Sequence, residues 1–249
     1  MYEAHSLKSI VDNVSRQLPQ KISFTKKEPV IEMGMIIAGA PPSRTKYKNV
    51  TVEEERDTKV IGILLCHPES VLAKTEIIGH LSHFHYQSGD AVDFYCAGYG
   101  AYWPPNHFID QKVVTKIDDT EWLFSDKAFS EFIQELEDTT KWKYSGETEL
   151  ILLPARKENN SVVLDYKTAI TCNLEEMYKD NAFSSVRAFF TKIFRFSKLN
   201  SEKNPLWAYS DLEGYSVVKS ALKNAILSIL PVNLKDTSKK LGHFAIKKL

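Results

Sequence analysis

Two apolar runs flank an amphipathic segment in the first half of the chain: Val60-Ile-Gly-Ile-Leu-Leu-Cys66, then Ser70 to Tyr86, then Val92-Asp-Phe-Tyr-Cys-Ala97. The first run has no charged or amide position, which is typical of a strand covered on both faces. The middle segment repeats apolar residues three and four positions apart, at Ile77, Ile78 and Leu81, and is predicted to be a helix. A strand, a helix and a strand in this order predict a parallel pair joined by a right-handed crossover.

The rest of the chain supplies further strands and helices around this unit. Apolar runs predict strands near residues 60–66, 92–97, 149–154 and 162–172, and helical periodicity is found near both ends of the chain. We therefore predict an α/β fold, with a single mixed, mostly parallel sheet, helices on both faces and helical N- and C-terminal additions. Within this single domain we place an N-terminal helix and charged loop, a sheet core, and C-terminal helices with a basic tail, at residues 1–58, 59–175 and 176–249.

Three segments outside the predicted sheet carry signals of their own. Residues 30–40 are apolar but shorter than the roughly 20 residues that span a bilayer, and residues 41–57 are predicted to form a charged loop or an edge hairpin. Near the C-terminus, a capping box formed by Ser210 and Glu213 opens a helix that is predicted to end at Pro231.

The charge balance excludes a strong global attraction to nucleic acid or to an acidic membrane. The 249 residues are 43% hydrophobic, and Lys plus Arg and Asp plus Glu each count 32, so the formal net charge is zero. A basic amphipathic helix predicted over residues 187–198 still provides a local basic face, through which nucleic acid remains a candidate partner.

The cysteines and the N-terminal residues predict a soluble, cytoplasmic protein. Cys66, Cys96 and Cys172 lie in or beside apolar runs, as buried reduced thiols do. The first residues lack a basic segment followed by an apolar core, and no run reaches the roughly 20 apolar residues of a membrane span. The same patterns point to no particular cofactor or oligomeric state.

The densest group of metal-ligand residue types is His80, His83, His85, Asp90 and Asp93. Imidazole and carboxylate are ordinary ligands of zinc and iron. On a helix, however, the side chain of His83 lies about 60° from that of His80, and the side chain of His85 lies about 160° from that of His83. All three can therefore bind one ion only if the helix ends before His85. We expect surface histidines rather than a metal site here.

The carboxyl end of the first strand offers a second place for chemistry, because open α/β sheets bind their ligands at this edge. Cys66 and His67 are adjacent on the strand and point to opposite faces, so the histidine is poorly placed to activate the thiol. A hydrolase would instead use residues around this edge, with or without a metal: His67, Asp90 and Asp93, together with His83 and His85. A metal-dependent nuclease would need acidic and basic side chains that converge on one point. The nearby acids, Glu147 and Glu149, precede Pro154, whereas the nearby bases, Arg156 and Lys157, follow it.

Aromatic residues concentrate after the second strand. Tyr99, Tyr102, Trp103 and His107 follow it within a segment that contains two glycines and two prolines. Rigid aromatic side chains in such a loop can anchor a partner protein or stack on a base, and they can equally be part of the core. We predict that these four residues form a partner-binding site.

Three segments resemble uncharacterised bacterial proteins that are encoded near anti-phage defence operons. They are Ile63-Leu-Leu-Cys-His-Pro68, Ser88-Gly-Asp-Ala-Val-Asp-Phe-Tyr-Cys-Ala-Gly-Tyr99 and Trp122-Leu-Phe-Ser125. The resemblance implies no catalytic residue. It implies only a setting, that of a cytoplasmic component that works with another protein.

Two classes of function follow from these patterns. The first is a non-enzymatic binding or regulatory module that engages a partner protein or nucleic acid, with a bacterial defence system as the setting that the resemblance implies. The alternative is a hydrolase, such as a metal-dependent nuclease, with its site at the carboxyl edge of the sheet. The sequence contains neither of the two common glycine-rich phosphate-binding motifs.

Overall fold

The computed structural model describes residues 2–29, 47–88, 92–159 and 161–203. Within these ranges the chain forms three separate sheets and five α-helices. The strands are β1 (Tyr2–Ala4), β2 (Gln20–Pro29), β3 (Tyr47–Arg56), β4 (Thr58–Leu65), β5 (Val92–Ala97), β6 (Tyr99–Gly100), β7 (Lys112–Ile117), β8 (Thr120–Phe124), β9 (Glu149–Glu158), β10 (Ser161–Leu164) and β11 (Ile170–Asn173). The helices are α1 (Leu7–Gln17), α2 (Leu81–Gln87), α3 (Asp126–Thr139), α4 (Leu174–Lys179) and α5 (Val186–Lys203).

The largest sheet has six strands in the order β1-β5-β4-β9-β10, with β11 also paired to β9. The pairs β1–β5 and β4–β5 are parallel, whereas β4–β9, β9–β10 and β9–β11 are antiparallel. The prediction of a single, mostly parallel sheet flanked by helices is therefore wrong. An apolar run such as residues 150–155 of β9 is buried on both faces whichever way the strand runs, so its pattern does not reveal its direction.

The two central strands β4 and β5 point their side chains alternately towards α5 on one face and towards α1 on the other. Phe94 lies against α5, with its ring centroid 5.2 Å from that of Phe190, and it fits because Gly62 on β4 has no side chain to meet it. Tyr95 points the other way, and its hydroxyl donates a hydrogen bond of 3.0 Å to Asn13 Oδ1 on α1. The buried core thus continues on both sides of this pair.

The second sheet is a ribbon of two ten-residue strands, β2 and β3, paired without a break from Gln20–Arg56 to Pro29–Tyr47. Only the second of these strands falls in the segment predicted as a charged loop or edge hairpin. The connection between the strands, including the apolar residues 30–40, lies outside the described residues.

The third sheet, β6-β8-β7, occupies most of the segment between β5 and α3. The strands β7 and β8 meet in a two-residue turn, in which Asp118 and Asp119 have φ of 48° and 62°. Positive φ at both positions is typical of a type I′ hairpin turn, which usually has Asn, Asp or Gly at its first position and Gly at its second. Because Asp119 takes the place of that Gly, and because a bulge interrupts β7 after Val113, the pattern did not predict a hairpin.

The predicted central helix is present but irregular. Residues 73–77 form a π-helical turn and residues 78–80 a 3₁₀ turn before α2 begins. The helix α5 begins at Val186 and is described to Lys203, while the helix predicted from Ser210 and the basic tail lie outside the described residues. No helix in the described ranges is long and apolar enough to cross a membrane.

Candidate partner-binding surface

Exposed apolar side chains are concentrated in the loop that joins β6 to β7. Among the described residues, eight large hydrophobic side chains are exposed, and three of them lie in this loop or at the start of β7. Tyr102 is 81% exposed, Ile109 is 100% exposed and Val113 is 52% exposed. We refer to residues 101–111 as the aromatic loop.

The aromatic loop is built around a cluster of rings. The indole of Trp103 is buried, and its centroid lies 4.7 Å from the ring of Phe108, which in turn lies 4.6 Å from the ring of His107. His107 also meets His5 edge to face, with 6.4 Å between centroids. Edge-to-face contacts of this kind stabilise a fixed ring arrangement. Trp103 is therefore the buried centre of the loop, with the rings of Phe108 and His107 packed outward from it.

Gly100 makes room for this cluster. A Cβ atom at this position would lie 2.1 Å from Cε2 of Trp103, far inside van der Waals contact. Any side chain here would displace the indole or the strand β6. The glycine is thus required by the close approach of the ring, and not by its backbone dihedral angles.

Hydrogen bonds fix both ends of the aromatic loop to the body of the protein. At the start, the Ala101 amide donates to Glu3 Oε2 over 3.1 Å. At the end, Asp110 accepts a bond of 2.7 Å from Ser125 Oγ and a bond of 2.8 Å from the Lys127 amide, both at the beginning of α3. Burial raises the pKa of Asp110, but these hydrogen bonds outweigh it, so the pKa lies below its ordinary value. The carboxylate is therefore ionised at neutral pH.

This arrangement can present a preformed contact surface. A loop that is held at both ends and packed in the middle loses little conformational entropy when a partner binds. Exposed Tyr and Ile side chains on such a loop can serve as apolar anchors of a protein interface. Tyr102 and Ile109 lie seven positions apart on this one loop. The geometry thus fits recognition of an apolar patch on another macromolecule.

The predicted partner-binding residues are divided between this surface and the core. Tyr102 is exposed on the loop, and His107 is also exposed, whereas Trp103 is buried beneath it. Tyr99 is only 1% exposed, and its hydroxyl donates to the Cys66 carbonyl over 2.9 Å. Tyr99 therefore joins β6 to the end of β4 and is not accessible to a partner.

His67 lies near the carboxyl end of β4, as predicted, but both of its ring nitrogens are engaged. Nε2 lies 2.6 Å from Asp126 Oδ1, and Nδ1 accepts a hydrogen bond of 3.2 Å from the Glu69 amide. The ring also packs edge to face on Phe124 and Phe129. A general base needs a free nitrogen that reaches a substrate proton. In this arrangement His67 instead fixes the start of α3 against the loop after β4.

Cys66 is fully covered beside His67. Burial raises the pKa of its thiol far above the ordinary value, and the pKa of Cys96 and of Cys172 is raised by burial to about 12. All three cysteines are free and buried. A thiol with a raised pKa is a poor nucleophile at neutral pH.

The structure places Asp93 far from this edge. Asp93 lies opposite Ile61 near the amino end of β4, and at about 3.3 Å per residue a further stretch of roughly 13 Å separates that position from the end of the strand. There its Oδ1 pairs with Lys59 Nζ over 2.9 Å, and both side chains are buried. Burial raises the pKa of Asp93, and the neighbouring Lys59 partly offsets the effect. Asp90 lies outside the described residues.

The three histidines of the predicted metal group have different surroundings. His83 Nε2 lies 3.2 Å from Thr191 Oγ1 on α5, while His80 meets the edge of Phe84 and His85 meets the edge of Tyr86. Burial lowers the pKa of His83, assisted by the nearby Arg187. Among the described residues no three His, Cys, Asp or Glu side chains are grouped so that they can hold a metal ion.

The acids predicted for a nuclease site make local structural bonds. Glu149 is buried and accepts hydrogen bonds from Trp142 Nε1 and from the Ser145 amide. Glu147 accepts bonds from Asn173 Nδ2 and Lys179 Nζ. Arg156 pairs with Glu158 at the other end of β9, and Lys157 pairs with Val162 in the strand register. These groups do not converge on one point.

Ile109 and Asp110 contribute to the surface but were not predicted from the sequence. An isolated Ile in a polar segment, followed by an acid that can bond to the next helix, is a weak signal for an exposed and fixed loop. Comparison with known proteins adds no relative, because no family model, curated protein or solved structure matches the chain.

Proposed function

We propose that this chain is a cytoplasmic, non-enzymatic binding module that recognises a partner protein through the aromatic loop. The observation that carries the proposal is the exposure of Tyr102 and Ile109, 81% and 100%, on a loop whose interior and ends are fixed. When a partner covers these two side chains, apolar area is buried, and the loop loses little conformational entropy because it is already fixed. A regulatory role beside a bacterial defence system is the setting that fits the sequence resemblance.

The charges around the loop restrict the kind of partner. Lys112 at the start of β7 lies 3.8 Å from Asp126 and 3.9 Å from Glu69, so acidic and basic groups alternate beside the exposed apolar residues. Mixed charge around an apolar centre is typical of the polar rim of a protein interface. Such a surface is less suited to nucleic acid, because phosphates bind to surfaces that are predominantly positively charged.

The test is affinity capture with the full chain from its source cells, identification of the captured protein, and titration of that protein in purified form. We expect the combined change Tyr102→Ala and Ile109→Ser to weaken binding by about 2 kcal/mol or more, or at least roughly 30-fold. The matched control is Val163→Ser on β10, which also removes an exposed apolar side chain but lies outside the loop. Equal affinities for all three proteins would reject the proposal.

A nucleic-acid partner is the competing outcome of the same test. Arg187, Lys192 and Arg195 are exposed on α5, while five of its described apolar residues are buried: Val186, Phe189, Phe190, Ile193 and Phe194. If the chain binds an oligonucleotide duplex, and if changing these three residues to Ala abolishes binding while the loop variant has no effect, the aromatic loop is not the functional surface. Loss of affinity that follows the loop variant alone supports the proposal.

A further inference from the structure

The ribbon β2–β3 extends as a structure of its own beside the main sheet. Its two strands contact each other along their whole length, and no other described element makes an extensive contact with either strand. Among the described residues neither outer edge of the ribbon pairs with another strand. An isolated two-stranded ribbon is marginally stable in water, and three or more strands with an apolar face are usually needed.

The two free edges differ in how well they are protected against pairing. The edge strand β2 carries Lys21, Lys26 and Lys27 and ends at Pro29, which has no amide hydrogen to donate. Lysine and proline are common protection of edge strands. The edge strand β3 has no proline, and its charged residues, Lys48 and residues 53–56, flank the uncharged Val50, Thr51 and Val52, three β-branched residues that favour strand pairing. The edge of β3 is therefore the one open to a further strand.

The order of charges along β3 selects a second copy of the same strand as the partner. In an antiparallel pair related by a two-fold axis at Thr51, Lys48 of each copy lies opposite Glu54 of the other, and Val50 lies opposite Val52. Opposite charges and β-branched residues are favourable cross-strand pairs. The corresponding pair of β2 strands about Phe24 would place Lys21 opposite Lys27, which is unfavourable.

We propose that two copies of this chain associate through β3, so that their ribbons form one continuous four-stranded sheet in the order β2-β3-β3-β2. The hairpin register places Phe24 opposite Val52 and Lys26 opposite Val50, so the half-buried Val50 and Val52 of both copies lie on one face of that sheet. The pairing also supplies roughly nine inter-strand hydrogen bonds, at about one per paired residue. It converts the marginal ribbon into a sheet of the usual minimum size.

Cysteine cross-linking tests both the contact and its register. In the proposed pair the two Thr51 residues face each other across the axis with Cβ atoms about 4.5–5.5 Å apart, close to disulfide distance. Thr25 is the matched control, because it pairs with Thr51 within the same hairpin. The two Thr25 residues would lie three strand spacings apart, about 14 Å, which is too far for a disulfide. The native cysteines are buried and do not compete.

We expect the unaltered chain to have a mass in solution of twice its 28.4 kDa, measured by sedimentation or light scattering. On mild oxidation Thr51→Cys should form a covalent dimer, whereas Thr25→Cys should not. Glu54→Lys should weaken dimerisation by roughly tenfold because it sets like charges opposite each other twice, and Glu53→Lys, whose position faces Asn49, should have little effect. A monomeric unaltered chain, or a covalent dimer of the Thr25→Cys variant and none of the Thr51→Cys variant, would overturn the proposal.

Discussion

The two ends of the main sheet each contain an acid paired with a base, and the two pairs differ mainly in burial. At the amino end, Lys59 and Asp93 are separated by 2.9 Å and their side chains are 5% and 2% exposed. At the carboxyl end, His67 and Asp126 are closer, at 2.6 Å, but their side chains are 34% and 53% exposed. Distance alone would rank the second pair as the stronger one.

Burial reverses that ranking for the stability of the fold. A pair exposed to this degree is screened by water and contributes about 0–1 kcal/mol. A buried pair has lost the solvation of both charges, so removal of one partner leaves the other charge unsolvated in the core. Lys59 is further bound to Gln17 Oε1 over 2.6 Å, which connects the pair to α1. The amino end is thus a structural centre, while the carboxyl end has the exposure that a binding surface needs.

The largest effect is expected from Lys59→Met, which leaves the buried Asp93 carboxylate without its cation. The free energy of unfolding should fall by about 3–5 kcal/mol, as measured by urea denaturation. The control is the double variant Lys59→Met with Asp93→Leu, which replaces the pair by apolar groups and should be within about 1 kcal/mol of the unaltered protein, or more stable. A single variant as stable as the parent would refute the importance of burial here.

The same variant has a pH dependence whose sign is fixed by Asp93. Its pKa is already raised by burial, and loss of Lys59 removes the main interaction that lowers it, so the pKa should rise further. Between the unfolded and the folded pKa, the folded state binds more protons, and stability falls as pH rises through that interval. The destabilisation by Lys59→Met should therefore be larger at pH 8 than at pH 5, and this difference should be absent from the double variant.

A smaller effect is expected at the carboxyl end from Gly100→Ala. The added methyl group would meet the indole of Trp103 at 2.1 Å, so the aromatic loop must shift. Such overpacking typically costs about 1–3 kcal/mol, and here the affinity for the partner should fall with it. Gly79→Ala is the control, because a Cβ there has no atom within 4 Å, and its effect on unfolding should be within about 0.5 kcal/mol. Equal effects of the two changes would contradict the packing of Trp103 on Gly100.

The parallel β4–β5 pair and its helical crossover could be predicted from the sequence because their signal is local and strong. Apolar runs identify buried strands, and apolar spacing identifies the face of a helix. The direction of β9 could not be predicted, because it depends on the path of the chain between distant strands. The hairpin β7–β8 could not be predicted because its turn has Asp119 where Gly is expected.

The candidate site was predicted only in part for a related reason. Tyr99 and Tyr102 are three residues apart in one aromatic segment, yet the first is buried and the second exposed. Residue type does not distinguish a ring that fills the core from one that meets a partner, because both bury apolar surface. Asp93 shows the same limit for acids, since only tertiary structure reveals that it is paired with Lys59 at the end of the sheet opposite His67.

The smallest effect is expected from Asp126→Asn, which removes the charge of the exposed pair while keeping the shape of the side chain. The free energy of unfolding should fall by less than about 1 kcal/mol, including the favourable interaction of this carboxylate with the first turn of α3. A double-mutant cycle with His67→Gln isolates the pair itself, and its coupling energy should also be below about 1 kcal/mol. A coupling of several kcal/mol would mean that the short distance, and not burial, determines the strength of the two pairs. In that case His67 and Asp126 would belong to the structural core, and the binding surface would be limited to the aromatic loop.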